Sequence, residues 1–540
     1  MLVVTALAVT VGAGVGLGLW ASGDGGDDSG PTGSAVRQPS AGRSSSEPGA
    51  SPQKGTPTPT PTRTYPLSQT PRTIPAVQAH TPERGPGWRP RSGARVVVND
   101  TELADEGRLV AGELGLTYAG VKADGRDGDL RLTLGAETKG DPEAYTMTVR
   151  GGRVTVSGAA DSGVFYGTRT LKQAVHGGGT APEGVVRDAP AKPVRGFLLD
   201  TARKHFSAGW IEERVRELGD LKFNQLQLHF SDDQAFRIES DSHPEIVAPQ
   251  HLTKAEVRKI LKVAAERHIT VVPEIDSPGH LGAVLAAHPE LQLRNMSGVP
   301  VRGAIDISKD ASAQIVDDLL NEYAGLFPGG PWHLGGDEYR ALMVSSNPEA
   351  SYPQLAAAAK EAYGAGGTVA DLTTGWLNDR AATVRAHDRT PRAWNDGFFA
   401  DTSVRPDADI QVTYWTGKEI GARQPVAYLS AGREVINYND EFLYYVLGQP
   451  NNFVYPTGER IYALWTPRVL RGTTAVPARY DDQILGGAFA VWCDLAGSQT
   501  QEQVAAGVRM PLRATAQKLW DADRPPLSWT DFKALADRLG

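Results

Sequence analysis

From Val194 onward the chain repeats one pattern, a short apolar run closed by polar or aromatic residues and followed by a stretch of helical character. The first four runs are 196–199 into Asp200, 225–230 into Asp232 and Asp233, 270–273 into Glu274 and Asp276, and 332–334 into Asp337 and Glu338. The next four are 391–394 into Asn395 and Asp396, 410–414 into Trp415, 435–438 into Asp440, and 485–491 into Trp492 and Asp494. Runs this short and this apolar read as strands buried on both faces, and strands alternating with helices read as parallel. Eight such units predict an α/β fold, a closed (β/α)8 TIM barrel over residues 191–540. The functional face of such a barrel lies at the carboxyl ends of its strands. Here those ends hold nearly all the acids and most of the tryptophans just named.

Upstream, residues 92–190 read as a small α+β domain. Strand-like runs fall at 94–98, 130–134, 145–149 and 154–156, and helical patterns fit 101–114 and 162–173. The domain has no cluster of His, Cys or paired acids and reads as a packing module for the barrel. Residues 21–91 are rich in Gly, Ser, Pro and Thr, including Thr56-Pro57-Thr58-Pro59-Thr60-Pro61-Thr62. Such a composition buries too little apolar surface to offset its ordering entropy, so a disordered tether or cell-wall spacer is expected. Residues 1–20 are almost entirely apolar and uncharged, a segment that reads equally as an export signal or an uncleaved membrane anchor. The expected location is therefore extracellular, secreted or anchored.

The net charge of −8, without a basic run, gives no footprint for nucleic acid. The single cysteine, Cys493, rules out an intrachain disulfide; following a tryptophan in an apolar stretch, it reads as core packing.

The chemistry is concentrated in Trp332-His333-Leu334-Gly335-Gly336-Asp337-Glu338. Two adjacent carboxylates at the end of a buried segment repel each other, and repulsion with partial desolvation should raise the pKa of one of them. A carboxylic acid protonated near neutral pH can donate to a poor leaving group such as a sugar oxygen. Trp394, Trp415, Trp492, Tyr414 and Tyr438, at other strand ends, are of the type that stacks on pyranose C–H faces.

These residues belong to a longer series of motifs. Arg195-Gly196 with Asp200-Thr201-Ala202-Arg203 precedes His229-Phe230-Ser231-Asp232-Asp233-Gln234 and Pro273-Glu274-Ile275-Asp276-Ser277-Pro278-Gly279-His280. His333-Leu334-Gly335-Gly336-Asp337-Glu338 follows, and then Trp394, Tyr414-Trp415, Tyr438-Asn439-Asp440 and Trp492. On these motifs the barrel resembles the family 20 glycoside hydrolases, the β-N-acetylhexosaminidases. Gly163-Val164-Phe165-Tyr166-Gly167-Thr168-Arg169-Thr170-Leu171 resembles the end of that family's small N-terminal domain.

The resemblance implies a retaining hydrolase that removes terminal β-linked N-acetylhexosamine, GlcNAc or GalNAc, from a glycan. In that family the substrate's own 2-acetamido oxygen attacks C1 and gives an oxazolinium-type intermediate. Carried over by motif, Glu338 is the acid and then the base, and Asp337 holds the acetamide N–H. Tyr438 bonds the acetamide carbonyl, Arg203 clamps the C3 and C4 hydroxyls, and Trp394, Trp415 and Trp492 wall the pocket. Asp440 and Asp494 join the substrate-binding set, while Asp232, Asp276, His280 and His333 form a supporting shell. Neither cofactor nor metal is implied.

One departure stands out. Where many family members carry Trp-x-Glu on the eighth strand, this chain has Trp492-Cys493-Asp494. The carboxylate should sit back by about 1.5 Å, roughly one C–C bond. That change is expected to enlarge the pocket at the non-reducing end, and Tyr438-Asn439-Asp440 followed by Phe442-Leu443-Tyr444-Tyr445 is similar to the subgroup that includes lacto-N-biosidases and biofilm-polysaccharide hydrolases. With an enlarged pocket, a disaccharide such as lacto-N-biose is the alternative released unit. A catalytically silent surface protein that binds carbohydrate fits the tether and aromatics as well, but needs no acid beside a carboxylate. A metal hydrolase using His229, Asp232, His280 and His333 would want ligands meeting at one point, often a His-x-His pair, and no such pair occurs. The strand pattern of family 18 chitinases, Asp-x-x-Asp-x-Asp-x-Glu, is also missing. Turnover of an aryl β-N-acetylglucosaminide is accordingly expected to survive EDTA; its loss on chelation would favour the metal reading.

Overall fold

The computed structural model describes residues 64–135, 141–418, 422–521 and 525–540. The expected signal or anchor, residues 1–20, and most of the expected tether lie outside the described residues. Among the described residues no helix is long and apolar enough to cross a membrane.

The barrel strands are β1 (Val194–Asp200), β2 (Gln225–His229), β3 (Thr270–Glu274), β4 (Pro331–His333), β5 (Thr390–Trp394), β6 (Gln411–Tyr414), β7 (Val435–Asn437) and β8 (Ile484–Trp492). Each pairs in parallel with the next, and β8 closes on β1 along the register Gly486↔Val194 to Val491↔Leu199. These are the eight runs that the sequence singles out. Alternate residues divide the two faces: Phe197 and Leu199 join the apolar layer under the helices, while Leu198 packs inside with Ile436, Tyr438 and Ala488.

The register also aligns polar side chains. Asp200 pairs with His229, His229 with Glu274, and Glu274 with His333, so four neighbouring strands place one row of ionisable groups just below the mouth. The β5–β6 connection carries only the 3-10 turn Asn395–Gly397 in place of a helix. Between β7 and β8 the chain makes a long excursion whose strand Tyr444–Val446 pairs with the end of β8 over the mouth.

The small domain is a seven-stranded mixed sheet in the order 79–82, 184–188, 145–150, 153–158, 130–134, 95–98, 117–121, with helices Ala104–Leu114 and Asp161–Gly178 packed on it. It begins earlier than composition suggests. Residues 64–91, grouped above with the tether, contribute strand Ala79–Pro82, and Ile74 and Trp88 are buried. The strand is an edge strand reading Ala-His-Thr-Pro, so it shows no apolar alternation and tolerates its proline, which explains why composition hides it.

Domain and barrel are joined by buried charge. Lys222 Nζ, fully buried, lies 3.2 Å from Asp188 Oδ2 and 3.0 Å from the Tyr145 hydroxyl, and 4.1 Å from the centre of the Trp520 ring. Asp188 also accepts from Trp520 Nε1 at 3.0 Å and from the Gln78 backbone N–H at 3.0 Å. Nearby, Arg195 on β1 forms a 2.7 Å ion pair with Glu143 of the small domain. Removing one member of such a pair strands its buried partner. Lys222→Met is therefore expected to cost about 3 kcal/mol in urea unfolding, the low end for a broken buried pair because Trp520, Gln78 and the Tyr145 hydroxyl still donate to Asp188.

Candidate active site

The run after β4 sets the geometry of the mouth. Gly335 and Gly336 adopt φ of +69° and +93°, and Glu338 itself lies at φ +48°. At Gly335 a Cβ would fall 1.6 Å from Asp276 Oδ1, so only glycine lets the turn pass over that carboxyl group. Asp276 Oδ1 in turn accepts from the Gly336 backbone N–H at 2.9 Å. The turn delivers Asp337 nearly buried, its side chain 14% exposed, and Glu338 at 40%, facing an open cleft of about 470 Å³. Arg203, His280, Trp415, Asp440, Trp492 and Asp494 line the cleft with them.

Cations hold this acid-rich mouth together. Arg203 reaches Asp200 at 3.0 Å and Asp232 at 2.6 Å and lies over the Trp492 ring at 5.4 Å. His280 spans the site, with Nδ1 3.3 Å from Asp232 and Nε2 3.3 Å from Glu338 and 3.7 Å from Asp337. His229 bridges Asp232 at 3.0 Å and Glu274 at 3.3 Å. Burial pushes Asp232 and Glu274 toward their neutral forms, but His280 and Arg203 for the first, and His333 and His229 for the second, hold both carboxyls well below the ordinary range. His280 and His229 are raised for the same reason, against the effect of burial.

Other acids go the opposite way. Burial and the neighbouring Asp337 raise Asp276 well above the carboxylate range and push Asp396 up to about 8. Asp337 is raised by burial and by Glu338, although His280 and a hydrogen bond with Asp276 oppose the shift. Glu338 is lowered, first by its hydrogen bond to His280 and then by the charges of His280 and Arg203, with burial opposing. One of the two adjacent acids is thus raised, as repulsion requires, but it is Asp337 and not the acid-base candidate. The half-exposed Glu338 takes the cation while Asp337 takes the desolvation.

The expected residues sort into two tiers. Trp415, Trp492, Arg203, Asp440, Asp494, Asp337, Glu338 and His280 face the cleft. Trp394, Tyr438, Asp232, Asp276 and His333 are buried beneath it. Trp394 Nε1 donates to Glu274 Oε1 at 2.9 Å, the Tyr438 hydroxyl donates to Gln227 Oε1, and their rings meet edge to face at 5.1 Å. His333 Nδ1 accepts from the Gly335 backbone N–H at 3.1 Å and Nε2 lies 2.8 Å from Thr413 Oγ1, whose own proton goes to the Ala393 carbonyl. These contacts tie the β4 turn to its neighbours.

Sequence reasoning passed over several members. Asp396 accepts from Trp415 Nε1 at 2.8 Å and from the Glu338 backbone N–H at 3.1 Å, locking a cleft wall to the acid run. Glu274 and His229 support the floor. All three stand at strand ends and are named there above, but no role in a sugar site is drawn for them from sequence. Lys418, 2.7 Å from Asp440, comes from a loop without a local signal, and Tyr444, quoted above only within a subgroup-like motif, stacks on Trp415 at 5.8 Å and 3°.

An eight-stranded parallel barrel whose mouth gathers paired acids, an arginine clamp and a tryptophan wall defines a glycoside-hydrolase fold and site. The family model for the glycosyl hydrolase family 20 catalytic domain matches residues 193–523, and that for domain 2 of the same family matches 70–189. The chain belongs to glycosyl hydrolase family 20. Lacto-N-biosidase of Bifidobacterium bifidum is 31% identical over 87% of this chain, which spans 42% of that protein's length. A β-hexosaminidase of Vibrio furnissii is 25% identical over 66% of this chain, with 62% of its own length covered. Among solved structures, a mutant Streptomyces plicatus β-hexosaminidase in complex with the product GlcNAc aligns with a TM-score of 0.69 at 25% identity, over 88% of this chain and 95% of that one. The exo-β-N-acetylglucosaminidase of Vibrio harveyi shares the fold, with a TM-score of 0.72 at 21% identity over 87% of this chain and 77% of that one.

The raised pKa of Asp276 carries a sign for stability. A carboxyl raised in the folded state favours folding fully only below its unfolded pKa, and this contribution is lost as pH rises through the folded value. Asp276→Asn mimics the neutral form, so its melting temperature should fall less than that of the wild type as pH rises above the ordinary carboxylate range. Equal slopes in thermal melts would show Asp276 to be ionised throughout.

Proposed function

We propose that the chain is a retaining β-N-acetylhexosaminidase that removes terminal GlcNAc or GalNAc by substrate-assisted catalysis. The observation that carries this reading is Asp337 Oδ1, buried and without a hydrogen-bond partner among the described residues. A buried carboxylate oxygen left open beside an aromatic wall calls for a donor from the ligand, and the N–H of a 2-acetamido group is such a donor. Asp337 would turn the acetamide oxygen toward C1 and balance the positive charge that grows on the ring. The hydrogen bond from Asp276 helps keep Asp337 anionic for that task.

Glu338 would donate its proton to the glycosidic oxygen and then take one from water. His280, 3.3 Å away, primes it. A sugar seated over the half-exposed Glu338 strips water from its carboxylate and raises its proton affinity. The proton of the His280 imidazolium can then pass to Glu338 as the ligand closes the site. Arg203, pinned by Asp200 and Asp232, presents its remaining guanidinium face to ring hydroxyls, while Trp415 and Trp492 pack on the sugar. Tyr438 lies below the cleft on Gln227, so its contact with the acetamide oxygen requires that it exchange this partner.

A second reading is release of a disaccharide. Asp494 lines the cleft beside Arg203 with the shorter side chain, and the similarity to lacto-N-biosidase extends over most of the chain. For the natural setting we propose export, with the apolar N-terminal segment and the Pro/Thr-rich stretch presenting the enzyme outside the cell to glycans.

Two aryl glycosides separate these readings. The wild type is expected to hydrolyse p-nitrophenyl β-GlcNAc, and Glu338→Gln to lower kcat by about 10²–10⁴-fold, the usual contribution of a general acid. Turnover of p-nitrophenyl β-lacto-N-bioside alone would establish the disaccharide reading. Failure on both, with wild type and variant equally silent, would overturn the hydrolase reading for small glycosides and favour a binding role.

A further inference from the structure

Away from the mouth, two copies of one tripeptide meet on the outside of the barrel. His243-Pro244-Glu245 lies in the excursion after β2, and His288-Pro289-Glu290 follows β3. Each histidine caps a 3-10 turn, Pro244–Ile246 or Pro289–Leu291, with similar backbone angles of φ −136°, ψ 63° and φ −122°, ψ 62°. Proline in the first turn position fixes both turns alike. Each ring Nδ1 faces the glutamate two residues on, at 3.1 Å in the first copy and 3.2 Å in the second.

The copies also cross. His288 Nε2 lies 2.9 Å from Glu245 Oε1, the same oxygen that His243 Nδ1 approaches at 3.1 Å. Atoms of three side chains thus converge, all within 4.8 Å of one another. Ligands of a tetrahedral zinc ion at bond lengths of 2.0–2.2 Å stand about 3.3 Å apart, close to this spacing. The far ring nitrogens are backed by carboxylates as well: His243 Nε2 is 3.3 Å from Asp318 Oδ2 on helix Asp310–Ala324, and His288 Nδ1 is 3.2 Å from Glu290 Oε1. A carboxylate on the distal nitrogen of each histidine is the arrangement that orients zinc ligands. The side chains are 16%, 26% and 43% exposed for His243, His288 and Glu245, open enough for a hydrated ion to enter and keep a water.

We propose that His243, Glu245 and His288 bind one divalent cation of the zinc class as a structural staple. Two imidazoles and one carboxylate select zinc, cobalt or nickel over calcium and magnesium, which prefer all-oxygen sites. The ion replaces the ring protons now directed at Glu245 and ties the excursion after β2 to the segment after β3, with Asp318 bringing in the next helix. The site takes no part in bond cleavage. Chelation should therefore lower the melting temperature while leaving turnover in place.

The test uses full-length protein stripped with EDTA, freed of chelator, and titrated with ZnCl2 by calorimetry at pH 7.5, with melts in parallel. One equivalent per chain and a rise in melting temperature are expected. A His243→Ala, His288→Ala double variant should lose both responses and keep aryl-glycoside turnover, and Asp318→Asn should bind about tenfold more weakly. Should the double variant not fold, Glu245→Gln, which preserves side-chain volume, gives the same readout. Absence of saturable uptake by the wild type overturns the proposal. So does equal uptake by the variants, which would place the ion elsewhere, for instance at the Asp276, His280 and Asp337 cluster.

Discussion

The mouth of this barrel concentrates acids in a place where burying a charge is costly, and the rest of the site follows from how that cost is met. Asp232 is the pivot, with Arg203 at 2.6 Å, His229 at 3.0 Å and His280 at 3.3 Å. Through it, two histidines and one arginine from three successive strand ends share one negative charge. Asp276 and Asp396, each raised by burial and by the neighbouring Asp337, answer the same pressure by retaining their protons. The site is a sorted mixture of carboxylates and carboxylic acids, and position within the web decides which is which.

That sorting bears on the adjacent pair. Asp337 and Glu338 differ little in chemistry but greatly in surroundings. The turn through Gly335 and Gly336 sends the first side chain down onto Asp276 and the second out toward solvent and His280. One carboxyl is buried and pushed toward its neutral form, the other stays half-exposed and is held charged beside a cation. Asp396 holds both the Glu338 backbone N–H and the Trp415 ring N–H, which links the acid run to the cleft wall.

Among the described residues the small domain contributes no side chain to the cleft. Its role is read from Lys222, Asp188, Tyr145 and Trp520, a buried cluster at the foot of the barrel, and from Arg195 with Glu143. These contacts clamp β1 and the start of β2 at the end opposite the mouth, where a fixed barrel base helps keep the strand ends aligned.

The sequence by itself determined the barrel and the neighbourhood of the site, because apolar runs separated by helices can bury themselves in few other ways and strand ends place their acids and tryptophans at one mouth. Asp337, Glu338, Trp415, Trp492 and Asp494 were legible for that reason, and Arg203 only through its resemblance to a family motif. Strand Ala79–Pro82 was not, since an edge strand that keeps its proline carries no alternation to detect. Lys418 was hidden in a loop whose course depends on what it packs against, and the stacking of Tyr444 on Trp415 could not be read from its motif. Tertiary structure alone decided which acid keeps its proton and set Trp394 and Tyr438 beneath the cleft floor. It also brought two His-Pro-Glu turns, 45 residues apart in the chain, to a shared oxygen. Protonation and ligand convergence depend on distances between segments that no local pattern encodes.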